Sequence, residues 1–140
     1  MSRPPVRRAR LFLDANVLVS AAWKADSKVA RLWSLPDIEL ITSGYVVAEC
    51  RRNLPGEEQQ GRLDHFLRSV RILDVPGTPV LENPPALPAK DQPVLAAAVL
   101  ARADYLVTGD RQHFGGWYGG SVLGVRVEPP GRFPGVLEES

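Results

Sequence analysis

Short apolar runs alternate along the chain with stretches of helical periodicity. Residues 9–13 read as a buried strand with little alternation, and the next apolar positions recur at helical spacing. Similar strand-like runs are found further along the chain, at residues 38–42, 71–75, 105–108 and 122–127. Strands that alternate with helices indicate βαβ units. The sequence therefore predicts a three-layer α/β/α fold around a central, mostly parallel sheet.

Capping and helix-breaking residues set the bounds of the predicted helices. The first helix is short and follows residue 14, with four inward positions: Val17, Leu18, Ala21 and Ala22. Four later helices are predicted. The first two begin at a cap, Asp26 or Ser27 for one and Thr42 or Ser43 for the other, and the last two cover residues 57–69 and 92–103. Five prolines fall between residues 76 and 88, and they predict that this segment is a loop.

Composition places the chain among single-domain globular proteins. It has 140 residues, of which 44% are hydrophobic and 24% charged. We predict one domain at residues 10–134, a basic arm at residues 1–9 and a C-terminal tail at residues 135–140. No apolar run approaches the roughly 18 residues that span a bilayer, and a single cysteine, Cys50, suits a reducing cytosol. These features predict a cytoplasmic protein.

Four acidic residues stand where this fold brings segments together. Asp14 and Asp110 directly follow predicted strands, Glu49 lies on the helix after the second strand, and Asp91 opens a helix. The carboxyl ends of parallel strands share one sheet edge, where ligands collect at the point of reversed strand order. Gathered carboxylates repel one another unless they bind a cation or share protons. Oxygen ligands suit Mg²⁺ or Mn²⁺, so a hard divalent cation is the predicted cofactor.

Each acidic residue also has a purely structural explanation. Asp14 and Asp91 are well placed as N-caps, and Asp110 is a common turn residue. Glu49 falls at the border of its helix's apolar stripe, where most glutamates are surface residues. The convergence of four such residues on one edge favours the metal site over four separate explanations.

A metal site of this kind predicts hydrolysis of a phosphodiester, since bound cations activate water and stabilise phosphate oxygens. An aspartyl-phosphate phosphatase is the competing enzyme class, with Asp14 as the nucleophile. That chemistry requires an acid two residues later, and Asn16 stands there instead. Arg111 and His113 follow Asp110 and are candidates for contact with a phosphate backbone.

Five segments follow one another along the chain: Phe12-Leu13-Asp14-Ala15-Asn16-Val17-Leu18-Val19-Ser20, Val47-Ala48-Glu49, Lys90-Asp91-Gln92-Pro93-Val94-Leu95-Ala96-Ala97-Ala98, Tyr105-Leu106-Val107-Thr108-Gly109-Asp110, and the ending Gly124 to Phe133. In this order they resemble the PIN-domain family of metal-dependent ribonucleases. The resemblance implies a Rossmann-like fold, with Asp14, Glu49, Asp91 and Asp110 as catalytic, metal-binding carboxylates. It also implies that Asn16 and Thr108 support the site. Residues 55–87 follow no pattern of the family.

The resemblance also implies a biological role. Small stand-alone members of the family are mostly toxins of toxin–antitoxin pairs, which cut RNA and are inhibited by a cognate antitoxin. We therefore expect an endoribonuclease toxin with RNA and an antitoxin as partners, and a homodimer. The alternatives left open are a nuclease of housekeeping RNA processing and a non-catalytic module that binds RNA or a partner.

Overall fold

A computed structural model describes residues 8–74 and 80–138, and in it six strands form one sheet in the order β3-β2-β1-β4-β6-β5. The strands are β1 (Ala9–Leu13), β2 (Ile38–Ser43), β3 (Val70–Leu73), β4 (Tyr105–Val107), β5 (Ser121–Val122) and β6 (Val125–Glu128). The α-helices are α1 (Ala15–Trp23), α2 (Gly44–Arg52), α3 (Glu57–Leu67), α4 (Gln92–Leu100), α5 (Arg111–Phe114) and α6 (Gly135–Glu138). Three 3₁₀ segments cover Lys28–Ser34, Gly115–Trp117 and Pro130–Arg132.

Strand order determines where a site forms on this sheet. All neighbouring strands pair in parallel except β5, which pairs antiparallel with β6. The chain first moves outwards from β1 through β2 to β3, and then returns to place β4 on the other side of β1. Order therefore reverses between β1 and β4, which makes the carboxyl ends of these two strands the expected ligand crevice. The predicted, mostly parallel α/β/α fold is confirmed.

The central strands and α4 form the middle of the core. Leu11, Phe12 and Leu13 of β1 are fully buried, as are Leu106 and Val107 of β4. Helix α4 is buried on nearly every side, through Pro93, Val94, Leu95, Ala96, Ala97 and Ala98. This packing explains why its sequence is apolar throughout instead of amphipathic. The inward positions predicted for α1 are all buried.

The predicted strand at residues 122–127 is instead a hairpin of β5 and β6. Leu123 and Gly124 form the turn, with φ angles of 51° and 83°. Two consecutive residues with positive φ are typical of the tight turns whose twist matches paired strands. Apolar residues on both sides of this turn make the two short strands look like one in the sequence.

Two helical segments of the structure differ from the prediction. Residues 28–34 form a 3₁₀ segment, and Ser27 does not cap it, since its hydroxyl donates to the Ser20 carbonyl at 2.6 Å. Residues 111–114 form α5, where no helix was predicted. Its four residues are too few to show helical periodicity.

The predicted arm, loop and tail are only partly within the described residues. Residues 1–7 of the basic arm and residues 75–79 of the proline-containing loop lie outside the described residues, while Ala9 already belongs to β1. Residues 135–138 of the predicted tail form α6, and Val136 is fully buried there. Packing therefore continues past residue 134. No helix in the described ranges has the length and apolarity needed to cross a membrane.

Two leucines of α4 offer a matched test of this core. Leu95 is fully buried, whereas Leu100 on the same helix is 56% exposed. We expect Leu95→Ala to lower the free energy of unfolding by about 2–5 kcal/mol, because it leaves a cavity. Leu100→Ala should change it by no more than about 0.5 kcal/mol. Urea unfolding of both variants measures the difference, and equal losses would contradict the burial of α4.

Candidate metal centre

Asp14 is held in one orientation at the end of β1. Its Oδ1 accepts a hydrogen bond from the Ala15 amide at 2.8 Å, so it caps α1 as predicted. Its Oδ2 accepts from the Thr108 hydroxyl at 2.8 Å and from the Asn16 amide group at 3.2 Å. The residue is 4% exposed. A buried carboxylate with these bonds has little freedom to turn away from the sheet edge.

Asn16 and Thr108 join the ends of β1 and β4. Asn16 Oδ1 accepts from the Gly109 amide at 2.7 Å, and Asn16 Nδ2 also lies 3.2 Å from Thr108 Oγ1. A Cβ atom at Gly109 would lie 3.3 Å from Asn16 Oδ1, so a larger residue there would crowd this contact. The Tyr118 hydroxyl donates to the Thr108 carbonyl at 2.8 Å, a support that the sequence did not reveal.

Asp110 and Asp91 meet at the imidazole of His113. Asp110 caps α5, since its Oδ1 accepts from the His113 amide at 3.2 Å. Its Oδ2 lies 2.7 Å from His113 Nδ1, and Asp91 Oδ2 lies 2.9 Å from the same nitrogen. The Asp91 contact lacks hydrogen-bond geometry, so within the described ranges Asp91 Oδ2 is buried without a hydrogen-bond donor.

The prediction that the Asp91 side chain caps α4 is wrong. Its carboxylate accepts no capping bond from the helix. The Asp91 backbone has φ −94° and ψ −18°, already close to the helical region. An N-cap side chain normally reaches back from an extended backbone, so the helical conformation directs this carboxylate elsewhere. The carboxylate turns towards His113 instead. Capping of α4 therefore does not explain why an acidic residue stands at position 91.

Glu49 approaches the site from α2. Ser43 caps this helix as predicted, accepting from the Val46 amide at 3.3 Å. The half-buried Glu49 carboxylate accepts no hydrogen bond from any of the described residues, and the Asn53 amide contacts only the Glu49 backbone carbonyl, at 2.9 Å. The Tyr45 hydroxyl donates to the Lys90 carbonyl at 2.9 Å, which ties α2 to the segment that carries Asp91.

These residues line one open cleft of about 570 Å³ at the reversal of strand order. All four predicted carboxylates reach it, together with Asn16, Ser20, Asn53 and Lys90. Thr108 is fully buried next to Asp14. Arg111 is exposed beside the site, whereas His113 lies among the carboxylates. Lys90 and Asn53 were not predicted from the sequence. The only signal for them is that they lie close in sequence to Asp91 and Glu49.

The cleft disfavours negative charge. Burial raises the pKa of Asp14 from 3.8 to about 6; Glu49 and Asp91 add to this, while the hydrogen bonds from Thr108 and Ala15 oppose it. Burial also raises the pKa of Asp91, with further contributions from Asp110 and Glu49 against His113 and Lys90. A cation placed among these groups would relieve both effects.

The residues present fit a divalent cation. Donor atoms of Asp91, Asp110 and His113 lie within 4.8 Å of one another, and one of them is the buried oxygen without a hydrogen bond. Asp14 and Glu49 add further carboxylate oxygens from the same cleft. Sites rich in carboxylate oxygens suit Mg²⁺ or Mn²⁺, which keep several positions for water and phosphate oxygens.

Comparison with models of known families identifies the family of this chain. The model of the PIN domain family matches residues 10–112, which is most of the chain, so the chain belongs to the PIN domain family. A sequence search of curated proteins gives no match.

Solved structures share the fold at low sequence identity. The structure of VapBC2 from Rickettsia felis, bound to a DNA fragment from its promoter, has a TM-score of 0.62 at 18% identity and covers 86% of this chain and 98% of that one. FitAcB from Neisseria gonorrhoeae has a TM-score of 0.53 at 20% identity, with coverage of 88% and 99%. The sarcin-ricin loop cleaving toxin VapC20 of Mycobacterium tuberculosis has a TM-score of 0.54 at 18% identity, with coverage of 83% and 98%.

The raised pKa of Asp14 predicts how stability depends on pH in the absence of metal. A carboxyl group with a higher pKa in the folded state holds its proton more tightly there than in the unfolded chain. Its contribution to the free energy of unfolding is therefore fully present below pH 3.8 and is lost as the pH rises through about 6. In EDTA, wild type should lose up to about 3 kcal/mol between pH 4 and 7 relative to Asp14→Asn.

Urea unfolding across this pH range, with and without 10-fold excess divalent cation over the chelator, measures the effect. Saturating cation should flatten the wild-type profile, since a bound ion favours the ionised carboxylate. Parallel profiles for wild type and Asp14→Asn in EDTA would show that Asp14 titrates normally.

Proposed function

We propose that this protein is a metal-dependent endoribonuclease that hydrolyses RNA phosphodiester bonds. The observation that carries the proposal is the convergence of four carboxylates, from four separate segments, on one open cleft. Asp14, Glu49, Asp91 and Asp110 are the proposed catalytic and metal-binding groups, and Mg²⁺ or Mn²⁺ is the proposed cofactor. Such a cation, when bound, lowers the pKa of a water molecule and stabilises the attacking and leaving oxygens.

The protein groups have distinct parts in this proposal. Asn16 and Thr108 hold Asp14 in place through hydrogen bonds, because the reaction tolerates little movement of the groups that take part. Glu49, which has no hydrogen bond from the described residues, is free to turn towards the cleft. Asp91 and Asp110 bring two further carboxylates to the same cleft, next to His113.

Substrate contacts would come from the cations at the rim. Lys90 lines the cleft, and exposed Arg111 directly follows Asp110. Both are proposed to contact phosphates on either side of the cut bond, which positions the strand without reading its sequence. An open cleft admits an extended or looped strand, so we propose single-stranded or loop RNA as the substrate.

Cleavage of a panel of structured and unstructured RNAs tests the nuclease proposal. We expect cutting with Mg²⁺ or Mn²⁺ that EDTA abolishes. Asp14→Asn, Glu49→Gln and Asp110→Asn should each lower the rate by more than about 100-fold, because even partners of metal ligands contribute 10–100-fold. Each variant should remain folded, since the side-chain shapes are kept.

Matched substitutions outside the cleft provide the controls. Asp26→Asn changes a carboxylate that is 87% exposed, and Glu58→Gln changes an exposed glutamate of α3. Both should cut RNA at the wild-type rate. Full turnover by a folded Asp110→Asn variant would remove Asp110 from the centre, and metal-independent cutting would overturn the proposed chemistry.

We further propose that the nuclease is the toxin of a toxin–antitoxin pair. Support comes from the PIN domain and from the fold that it shares with VapBC2, FitAcB and the VapC20 toxin. A cognate antitoxin would then be its protein partner, and the family resemblance adds a homodimer. The cytoplasm is the proposed location, where RNA is available and the buried Cys50 thiol stays reduced.

Induced expression in a bacterial host separates the toxin from a housekeeping enzyme. We expect wild type to arrest growth within a few generations, and Asp110→Asn, produced at equal level, to leave growth unchanged. The difference follows from cutting of essential RNA by the intact centre. Normal growth with soluble, active wild type would favour housekeeping RNA processing.

A further inference from the structure

His113 lies inside the carboxylate cluster instead of at its rim. Helix α5 begins at the Asp110 cap, and its third residue carries the imidazole back over the capping carboxylate. His113 Nδ1 lies 2.7 Å from Asp110 Oδ2 and 2.9 Å from Asp91 Oδ2, and its side chain is only 21% exposed. The imidazole is therefore positioned by two carboxylates that the proposed function assigns to the cation.

The distances from His113 Nδ1 to the two carboxylate oxygens match those between neighbouring ligands on one ion. Ligands at right angles, each about 2.1 Å from an Mg²⁺-sized ion, lie about 3 Å apart. The two distances from Nδ1 are close to this value, and all three donor atoms lie within 4.8 Å of one another. Small movements of the side chains suffice to place one ion in contact with all three.

An unsatisfied buried oxygen gives independent support. Asp91 is 7% exposed, and its Oδ2 has no hydrogen-bond donor in the part of the chain that the structure describes. A buried carboxylate oxygen is costly without a partner. His113 Nδ1 has hydrogen-bond geometry with Asp110 Oδ2 but not with Asp91 Oδ2, so it does not serve both carboxylates. An ion shared by Asp91, Asp110 and His113 would satisfy all three groups together.

We propose that His113 is a ligand of the metal centre, through Nδ1, and that it makes the centre prefer Mn²⁺ to Mg²⁺. This inference rests on the metal-dependent function proposed above. Coordination through Nδ1 requires the neutral imidazole tautomer with its single hydrogen on Nε2, which the other tautomer reaches by exchanging a proton with water. Imidazole nitrogen binds transition metals well, whereas Mg²⁺ favours carboxylate, carbonyl and water oxygens. The side chain thereby determines which ion occupies the cleft.

Pulsed electron paramagnetic resonance of Mn²⁺ bound to the protein tests the inference directly, without an activity assay. Wild type should show ¹⁴N modulation from a coordinated imidazole, and His113→Asn and His113→Gln should lose it. The chain contains one other histidine, His65, which is exposed on α3. His65→Asn is the matched control and should keep the wild-type signal.

Calorimetric affinities give a second readout. His113→Asn should weaken Mn²⁺ binding by about 10–100-fold and Mg²⁺ binding by less than about 3-fold, because the lost group is a nitrogen donor. Unfolding temperatures in EDTA, measured for each variant, confirm that the proteins compared are folded. The two His113 substitutions differ in length, so one serves if the other fails to fold.

The outcomes separate this inference from the proposed function. Mn²⁺ bound to wild type without ¹⁴N modulation would overturn the role of His113 and leave a carboxylate centre intact. Tighter binding of both ions by His113→Asn would also overturn it, because the imidazole would then be a competitor of the ion. No binding of either ion by wild type at millimolar concentration would overturn both proposals.

Discussion

Mutual repulsion of carboxylates at the ends of β1 and β4 is the constraint on which the site depends. The parallel sheet brings Asp14 and Asp110 to one edge, and α2 and α4 bring Glu49 and Asp91 to the same cleft. Four like charges within one partly buried space oppose folding unless something neutral or positive stands between them. The surrounding structure has to hold them in place against that repulsion.

The bonds between β1 and β4 provide this restraint. Asn16 spans the two strand ends, Thr108 donates to Asp14, and the Tyr118 hydroxyl donates to the Thr108 carbonyl. None of these groups carries a formal charge, so they fix Asp14 without neutralising it. A buried ion pair would have been the simpler way to stabilise the carboxylate, but it would also have occupied the oxygens that a cation needs.

Glu128 shows the contrasting arrangement at the end of the neighbouring strand β6. It is 1% exposed, lies 2.9 Å from the guanidinium of Arg126 and accepts from the Gly119 amide at 3.1 Å. Its backbone pairs with β4 at Val107, so by position alone it resembles a fifth acidic residue of the site. Like Asp91 Oδ2, its Oε2 has no hydrogen-bond donor among the described residues, but the guanidinium carries a permanent positive charge that compensates the carboxylate, so its role is structural. Glu49, which no hydrogen bond from the described residues restrains, has the opposite character.

The sequence predicted the sheet and the convergence of the acidic residues, because both follow from the order of local patterns. Apolar runs locate strands, and strand order determines which strand ends are neighbours. Helix α5 was missed because its four residues make little more than one helical turn, too few to show periodicity. The β5–β6 turn was missed because apolar residues flank it on both sides. The place of His113 depended on α5, and so the sequence suggested a contact with phosphate where the structure shows a contact with Asp91 and Asp110.

The raised pKa of Asp14 links this geometry to folding. A group that is held ionised in a buried place lowers the stability of the empty protein, and a ligand that binds only the folded state restores it. The cleft therefore couples cation binding to stability through the same oxygens that are proposed to act in hydrolysis. Natural proteins tolerate such destabilising groups chiefly at functional sites, where a rigid core compensates. The buried residues of β1, β4 and α4 provide that core.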